Sequence, residues 1–203
     1  DTISLTAGSN DAWLCADVTL TSDDDNDCTE PEDADDPNCD PNVDPNADNA
    51  DGDLADAVRF LWWADDGDNV LEDNETPLPS GPMGVLNVGQ TATVALADSD
   101  QNIWGTGPVP GGETRYIGKA WCFGDLTLAP VASGSAGDPT VDPGFDCDGS
   151  LLNNITQTDS FTSDISFRAV QARNNDQFQC TPPVVSPTVS PTPTPTTPTV
   201  EPT

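Results

Sequence analysis

The chain has 203 residues, with 36 Asp and Glu, 5 Lys and Arg and no His, for a formal net charge of −31. Phosphate is bound by clustered Lys and Arg, so this balance argues against a nucleic-acid partner and disfavours docking on anionic lipid. The lack of His removes the commonest catalytic base and transition-metal ligand together.

At roughly 100–200 residues per domain the length suits one domain with appendages. No run approaches the ~18 apolar residues of a membrane-spanning helix. A first residue of Asp reads as a processed or trimmed start. In chain order, residues 1–21 read as β. Ile3 and Leu5 alternate with polar neighbours, and Trp13, Cys15, Asp17 and Thr19 alternate with Leu14, Ala16, Val18 and Leu20. Residues 23–53 hold 14 acidic residues, no Lys or Arg and almost nothing apolar, too little to fold on hydrophobic burial alone. Residues 54–58 could start a short helix. Strand signals follow at 58–63, 91–96 and 115–123. Phe161, Ile165, Phe167 and Ala169 then repeat at even spacing, on one face of a strand. Asn, Asp, Gly and Pro clusters read as turns at 65–69, 79–84, 98–102, 107–112 and 138–149.

This pattern predicts an all-β, antiparallel β-sandwich over 13–180, with an acidic loop insertion at 23–53. A strand and hinge precede it at 1–12, and an extended Thr/Pro-rich tail follows at 181–203. Trp62 and Trp63 are adjacent, so in a strand they face opposite sides. One of them is expected to leave the core and meet a flanking loop or a neighbouring subunit.

Six cysteines are present: Cys15, Cys28, Cys39, Cys122, Cys147 and Cys180. None forms a CxxC pair, and without His no zinc site completes, so a disulfide framework in an extracellular or cell-surface protein fits best. A local Cys28–Cys39 bond would order the acidic insertion. The other four would staple the sandwich, with Cys122 or Cys147 bonded to Cys180 as one option.

Three strings suggest a family. They are Val58-Arg-Phe-Leu-Trp-Trp-Ala-Asp-Asp-Gly-Asp-Asn-Val-Leu-Glu72, Tyr116-Ile-Gly-Lys-Ala-Trp-Cys-Phe-Gly124, and the run from Gln157 to Asn175 that ends in Phe178-Gln-Cys180. In order and spacing they resemble the TasA/camelysin-like secreted proteins of bacteria and archaea. The resemblance implies a jelly-roll β-sandwich that is exported and assembled into extracellular fibres of a biofilm matrix or cell surface. It also implies joining by donation of an N-terminal strand to the next subunit. The chain differs in its longer acidic insertion and in lacking the aromatic-plus-acid opening often seen at the mature N-terminus.

Two acidic constellations are candidate calcium sites, since calcium takes six to eight oxygens in flexible geometry. Asp65, Asp66, Asp68, Asn69 and Glu72 crowd a Gly turn; the competing reading is a solvated hairpin turn. Asp23, Asp25, Asp27, Asp51 and Asp53 lie in the insertion with Cys28 and Cys39; the competing reading is a disordered acidic loop. Calcium is therefore the expected cofactor, in a structural role. Catalysis is not expected. Ser/His/Asp chemistry is impossible without His, and no HExxH exists, although camelysin-type relatives have been classed as metallopeptidases.

The Pro-rich tail extends instead of packing, and Thr188, Thr192, Thr194 and Thr196 suit O-glycans. Asn74 and Asn154 head N-glycosylation sequons, so glycans are a further candidate partner. The expected function is a self-polymerising structural subunit of an extracellular filament, with Ile3 and Leu5 at the polymer interface. The competing assignment for residues 1–7 is the first strand of their own subunit. The alternative function is a monomeric calcium-dependent surface adhesin or carbohydrate-binding module on a stalk.

Overall fold

Alternating apolar and β-branched runs shed one face into a core and leave the other to water, and here they do so as antiparallel strands. The structure, a computed structural model, describes residues 1–37, 52–78, 81–134 and 137–181. Its strands are β1 (Thr2–Thr6), β2 (Ala12–Asp24), β3 (Val58–Asp65), β4 (Gly81–Pro82), β5 (Thr91–Ala97), β6 (Thr114–Phe123), β7 (Asp125–Leu128), β8 (Phe145–Asp148) and β9 (Ser160–Gln171). Of two single-turn helices, α1 (Glu32–Asp35) lies within the acidic insertion and α2 (Leu54–Ala57) directly follows it. One sheet has the order β1-β6-β3-β4, a second β5-β2-β9, and β7 and β8 form a hairpin of their own. Every pairing between named strands is antiparallel.

The two larger sheets enclose the main core, as expected of a sandwich. Trp62 of β3 and Ile117 of β6 meet Trp13, Leu14 and Ala16 of β2 and Leu96 of β5. The Trp62 and Phe167 rings lie 6.2 Å apart and bridge the sheets. The even spacing along β9 is only partly used. Phe167 packs inward, but Ala169 is exposed and Val170 takes the inner place instead.

The paired tryptophans face opposite sides of β3, as expected, and Trp63 leaves the main core, but it meets a second core of this chain instead of a loop or a neighbouring subunit. Trp62 is 8% exposed and Trp63 0%. A second core on the outer face of β3 receives Trp63, built from Leu61, Leu71, Ala120, Leu126 of β7 and Phe145 of β8. Trp63 stands opposite Gly118, where a Cβ would overlap the indole, so the close approach requires glycine there. The turn assignment at 138–149 is likewise corrected. Phe145 packs 6.3 Å from Trp63 and Cys147 is bonded to Cys122, and these ties draw Phe145–Asp148 into a strand. The turn at 79–84 contains the short β4 paired to Arg59 and Phe60.

Cys15 is bonded to Cys180, joining β2 to the segment after β9 across a sequence separation of 165. The option of Cys122 or Cys147 bonded to Cys180 is thereby corrected; those two bond each other. The reason is spatial: Cys15 is opposite Arg168 in the β2–β9 ladder, beside the returning chain. Cys28 is disulfide-bonded, and Cys39 lies outside the described residues. No helix among the described residues is long and apolar enough to cross a membrane.

Candidate functional site

The strand expected to carry assembly is an edge strand. β1 pairs along one side with β6, Thr2 opposite Gly118 through Thr6 opposite Thr114, and sits outermost in its sheet. Ile3 and Leu5 are half-buried and pack against the main core, while Ser4 and Thr6 are exposed. The following residues 8–11 form a connector. Gly8 has open space around its Cα, and the Asp11 carboxylate accepts a hydrogen bond from the Gly111 amide at 2.9 Å. In this single chain β1 thus occupies a place in its own sheet.

The Gly turn after β3 brings together part of the first acidic set. Asp65, Asp66 and Asp68 present carboxylate oxygens within 4.8 Å of one another. Their neighbours explain the geometry without an ion. Asp65 accepts from Thr2 Oγ1 at 3.0 Å, Trp63 Nε1 at 3.3 Å and the Asn69 amide, and Asp68 accepts from the Val70 amide. Asn69 and Glu72 are directed elsewhere. The Asn69 side chain accepts from the Lys119 amide, and buried Glu72 accepts from the Gly134 amide at 2.8 Å. Glu75, which closes this acidic run, accepts from the amides of Asp66 and Glu72; burial, reinforced by the charges of Asp65 and Asp66, raises its pKa to about 7.

The insertion is held by polar contacts rather than by a core. Asn26 Nδ2 donates to the Thr158 carbonyl and to Ser160 Oγ, and Thr158 Oγ1 donates to the Asp27 carbonyl at 2.6 Å. Gln157 donates to Thr29, and Asp35 accepts from both the amide and the side chain of Asn154. Gly52 returns the chain against Asp24, at a spacing where a Cβ would stand 2.9 Å from the Asp24 carbonyl oxygen.

At the centre of this contact Asp25, Glu32 and Asp159 bring carboxylate oxygens within 4.8 Å of one another. Asp159 Oδ2 accepts from the Asp53 amide at 2.6 Å and the Leu54 amide at 3.1 Å. Glu32 Oε2 shares the single Thr158 hydroxyl proton with the Asp27 carbonyl, at 3.1 Å from Oγ1. Burial raises the pKa of all three, that of Asp159 to about 7; the charges of Asp25 and Glu32 add to the rise at Asp159, those of Asp25 and Asp36 at Glu32, and those of Asp36 and Asp27 at Asp25.

Of the second expected set, only Asp25 joins this cluster. Asp27 accepts from the neighbouring Cys28 amide, Asp53 contributes its backbone N–H, Asp23 lies on β2 opposite Phe161, and Asp51 is outside the described residues. Glu32 and Asp159 were not anticipated. Thr29-Glu-Pro-Glu32 carries a Ser/Thr-x-x-Glu helix-start signal, and Glu32 Oε2 does face the Thr29 amide at 3.4 Å. Asp159 has no comparable local signal, since its partners lie more than a hundred residues away. Of the sequons, Asn74 is exposed in a turn, whereas the Asn154 side chain is engaged with Asp35. The tail threonines lie outside the described residues.

Comparison with family models finds no match, and neither the curated proteins nor the solved structures yield a significant one.

Proposed function

We propose that this chain is a structural, non-catalytic subunit of an extracellular filament, joined to its neighbours by exchange of β1. The observation that carries the reading is the placement of Thr2–Thr6. The strand hangs on one neighbour at a sheet edge, feeds Ile3 and Leu5 into the core, and is followed by a connector beginning at an uncrowded glycine. A slot of that kind is filled equally well by the same strand of a second copy, because every ladder bond and core contact is remade. The C-terminal tail is a poor donor, since its prolines lack the ladder N–H. The Cys15–Cys180 and Cys122–Cys147 bonds fit an oxidising, extracellular setting. The TasA/camelysin-like resemblance, with its jelly-roll connectivity, belongs to the same proposal.

Deleting residues 1–9 tests it. The expected result is a folded subunit by circular dichroism that no longer forms filaments under the electron microscope, and whose open slot binds a peptide of residues 1–7. Unaltered filaments from the truncated protein, or an intact protein that stays dispersed, would overturn it.

One observation favours the adhesin reading. Trp121, 63% exposed, and Phe123, 37% exposed, line an apolar groove of about 670 Å³ with Phe60 and Phe161. Aromatic faces of this kind stack on sugar rings. That reading expects dispersed particles whose glycan binding is lost on Trp121→Ala.

A further inference from the structure

We propose that Asp25, Glu32 and Asp159 form a binding site for one divalent calcium ion, which locks the acidic insertion onto the sandwich. The first observation is convergence. Two neighbouring segments, the exit of β2 and helix α1, meet the entry to β9 more than a hundred residues further on, and the three deliver carboxylate oxygens within 4.8 Å of one another. Oxygens sharing a calcium ion at about 2.3–2.6 Å are at most ~5 Å apart, so the spacing fits a common ion.

The second observation is independent of acidity. Glu32 is 0% exposed, yet its Oε1 meets no hydrogen-bond donor among the described residues. Buried Oδ1 of Asp25 is in the same condition. Fully buried carboxylates are paired, hydrogen-bonded or bound to metal, because an unmet buried acceptor costs about 1–3 kcal/mol and a charged one more. The described cations do not supply the pairing: the ion pairs of Arg115, Lys119 and Arg168 are made with Glu113, Asp1 and Asp17, and exposed Arg173 follows the end of β9 opposite to Asp159. Arg59 donates to the Asp56 carbonyl.

The ligand chemistry selects the ion. All three ligands are hard oxygens with no nitrogen or sulfur among them, which disfavours zinc and copper. They stand on short turns and a strand end rather than in a rigid cage, which suits the variable coordination of calcium better than the strict octahedron of magnesium. The remaining oxygens of Glu32 and Asp159 are held by Thr158 Oγ1 and by the Asp53 and Leu54 amides, so the surrounding chain orients the ligands. The bound ion would tie together residues 24–35, 52–54 and 158–160. The Asp65–Asp68 turn lacks this second feature, since donors meet the carboxylates of Asp65 and Asp68, and Asp66 is exposed to water.

The test uses the full chain stripped with EGTA and titrated with calcium chloride at a constant 0.15 M KCl, where diffuse attraction to the acidic surface is screened. Calorimetry is expected to find one saturable site. Glu32→Gln and Asp159→Asn should each weaken it by about tenfold or more, and Asp66→Asn should leave it unchanged. At about a hundred times its Kd the ion should raise Tm by about 5–10 °C. Glu32→Gln carries its own control. In EGTA it should melt at or above the wild-type temperature, because a buried like charge has been removed; in calcium it should melt below. No saturable calcium binding, undiminished affinity in both Glu32→Gln and Asp159→Asn, or an equal loss in Asp66→Asn would each overturn the assignment. None of these readouts depends on whether subunits polymerise.

Discussion

Trp63 and Glu32 are equally inaccessible to water, and the contrast between their surroundings divides the molecule. Trp63 is enclosed by Leu61, Leu71, Ala120, Leu126 and Phe145, so removal from water is itself the gain, about 1.5–3 kcal/mol for each large apolar side chain. Glu32 is enclosed by Thr158 and two further carboxylates, where removal from water is a cost. The sandwich therefore stands on apolar area. The acidic cap stands on hydrogen bonds at about 0.5–1.5 kcal/mol each, working against the repulsion of its own charges. A region held that way opens locally before the whole protein unfolds.

The largest effect should come from the apolar side. Trp62→Ala removes the side chain that bridges to Phe167 between the sheets, and should cost about 3–5 kcal/mol in urea unfolding of the whole domain. The next tests how firmly the hairpin β7–β8 is fixed over Trp63. Replacing Cys122 and Cys147 by Ser removes a bond closing a separation of 25 residues, and should cost about 3 kcal/mol. Retention of full stability would mean that the Trp63–Phe145 contact alone holds the hairpin.

A change in the cap should behave differently. Asn26→Ala deletes the donors to the Thr158 carbonyl and Ser160 Oγ, at a cost of about 1 kcal/mol. Hydrogen exchange should speed up in residues 24–36 while β3 and β6 stay protected. Uniform acceleration throughout the chain would break the contrast by showing that the two regions unfold as one.

The smallest effect concerns Asp17, on the exposed flank of the sandwich. Hydrogen bonds from Arg168 and Thr93 hold its carboxyl below the ordinary aspartate value of about 3.9. A depressed folded-state pKa means stability that is present above the ordinary value and lost as pH falls through the lower, folded one. Asp17→Asn should therefore remove a small part of the acid sensitivity below about pH 4, visible as a shallower loss of Tm with pH in that window. An identical acid profile in wild type and variant would show that the pair adds nothing to the fold.

Much of the sandwich was legible along the chain. The alternation at 91–96 became β5, the run at 115–123 became most of β6, and Val58–Trp63 opened β3. Period-two patterning survives in β5 and β6, where one face meets a core, while β3 reads as a continuous apolar run because both of its faces are covered. The β7–β8 hairpin was not legible. Asp125-Leu-Thr-Leu128 and Phe145-Asp-Cys-Asp148 carry too few apolar residues to signal strands, and they form because a disulfide and Trp63 wait above β3. The short helix at 54–57 was anticipated, but its support by Asp159 was not, since that residue, just before β9, receives the amides of Asp53 and Leu54 from across the fold.

The sequence by itself determined the class of fold, the acidic character, the dependence on disulfides and the inability of residues 23–53 to pack through apolar burial. These follow from composition and period, which act on every residue locally. Tertiary structure alone decided which cysteines join, that both Trp62 and Trp63 are buried, and that Asp25 meets Glu32 and Asp159 while the Asp27 carboxylate takes the Cys28 amide and Asp53 contributes its backbone N–H. Those outcomes depend on the register between strands and on chain segments returning from elsewhere in the sequence, 25 residues away for Cys122–Cys147 and 165 for Cys15–Cys180, and carboxylates of one type are indistinguishable in composition until register selects among them.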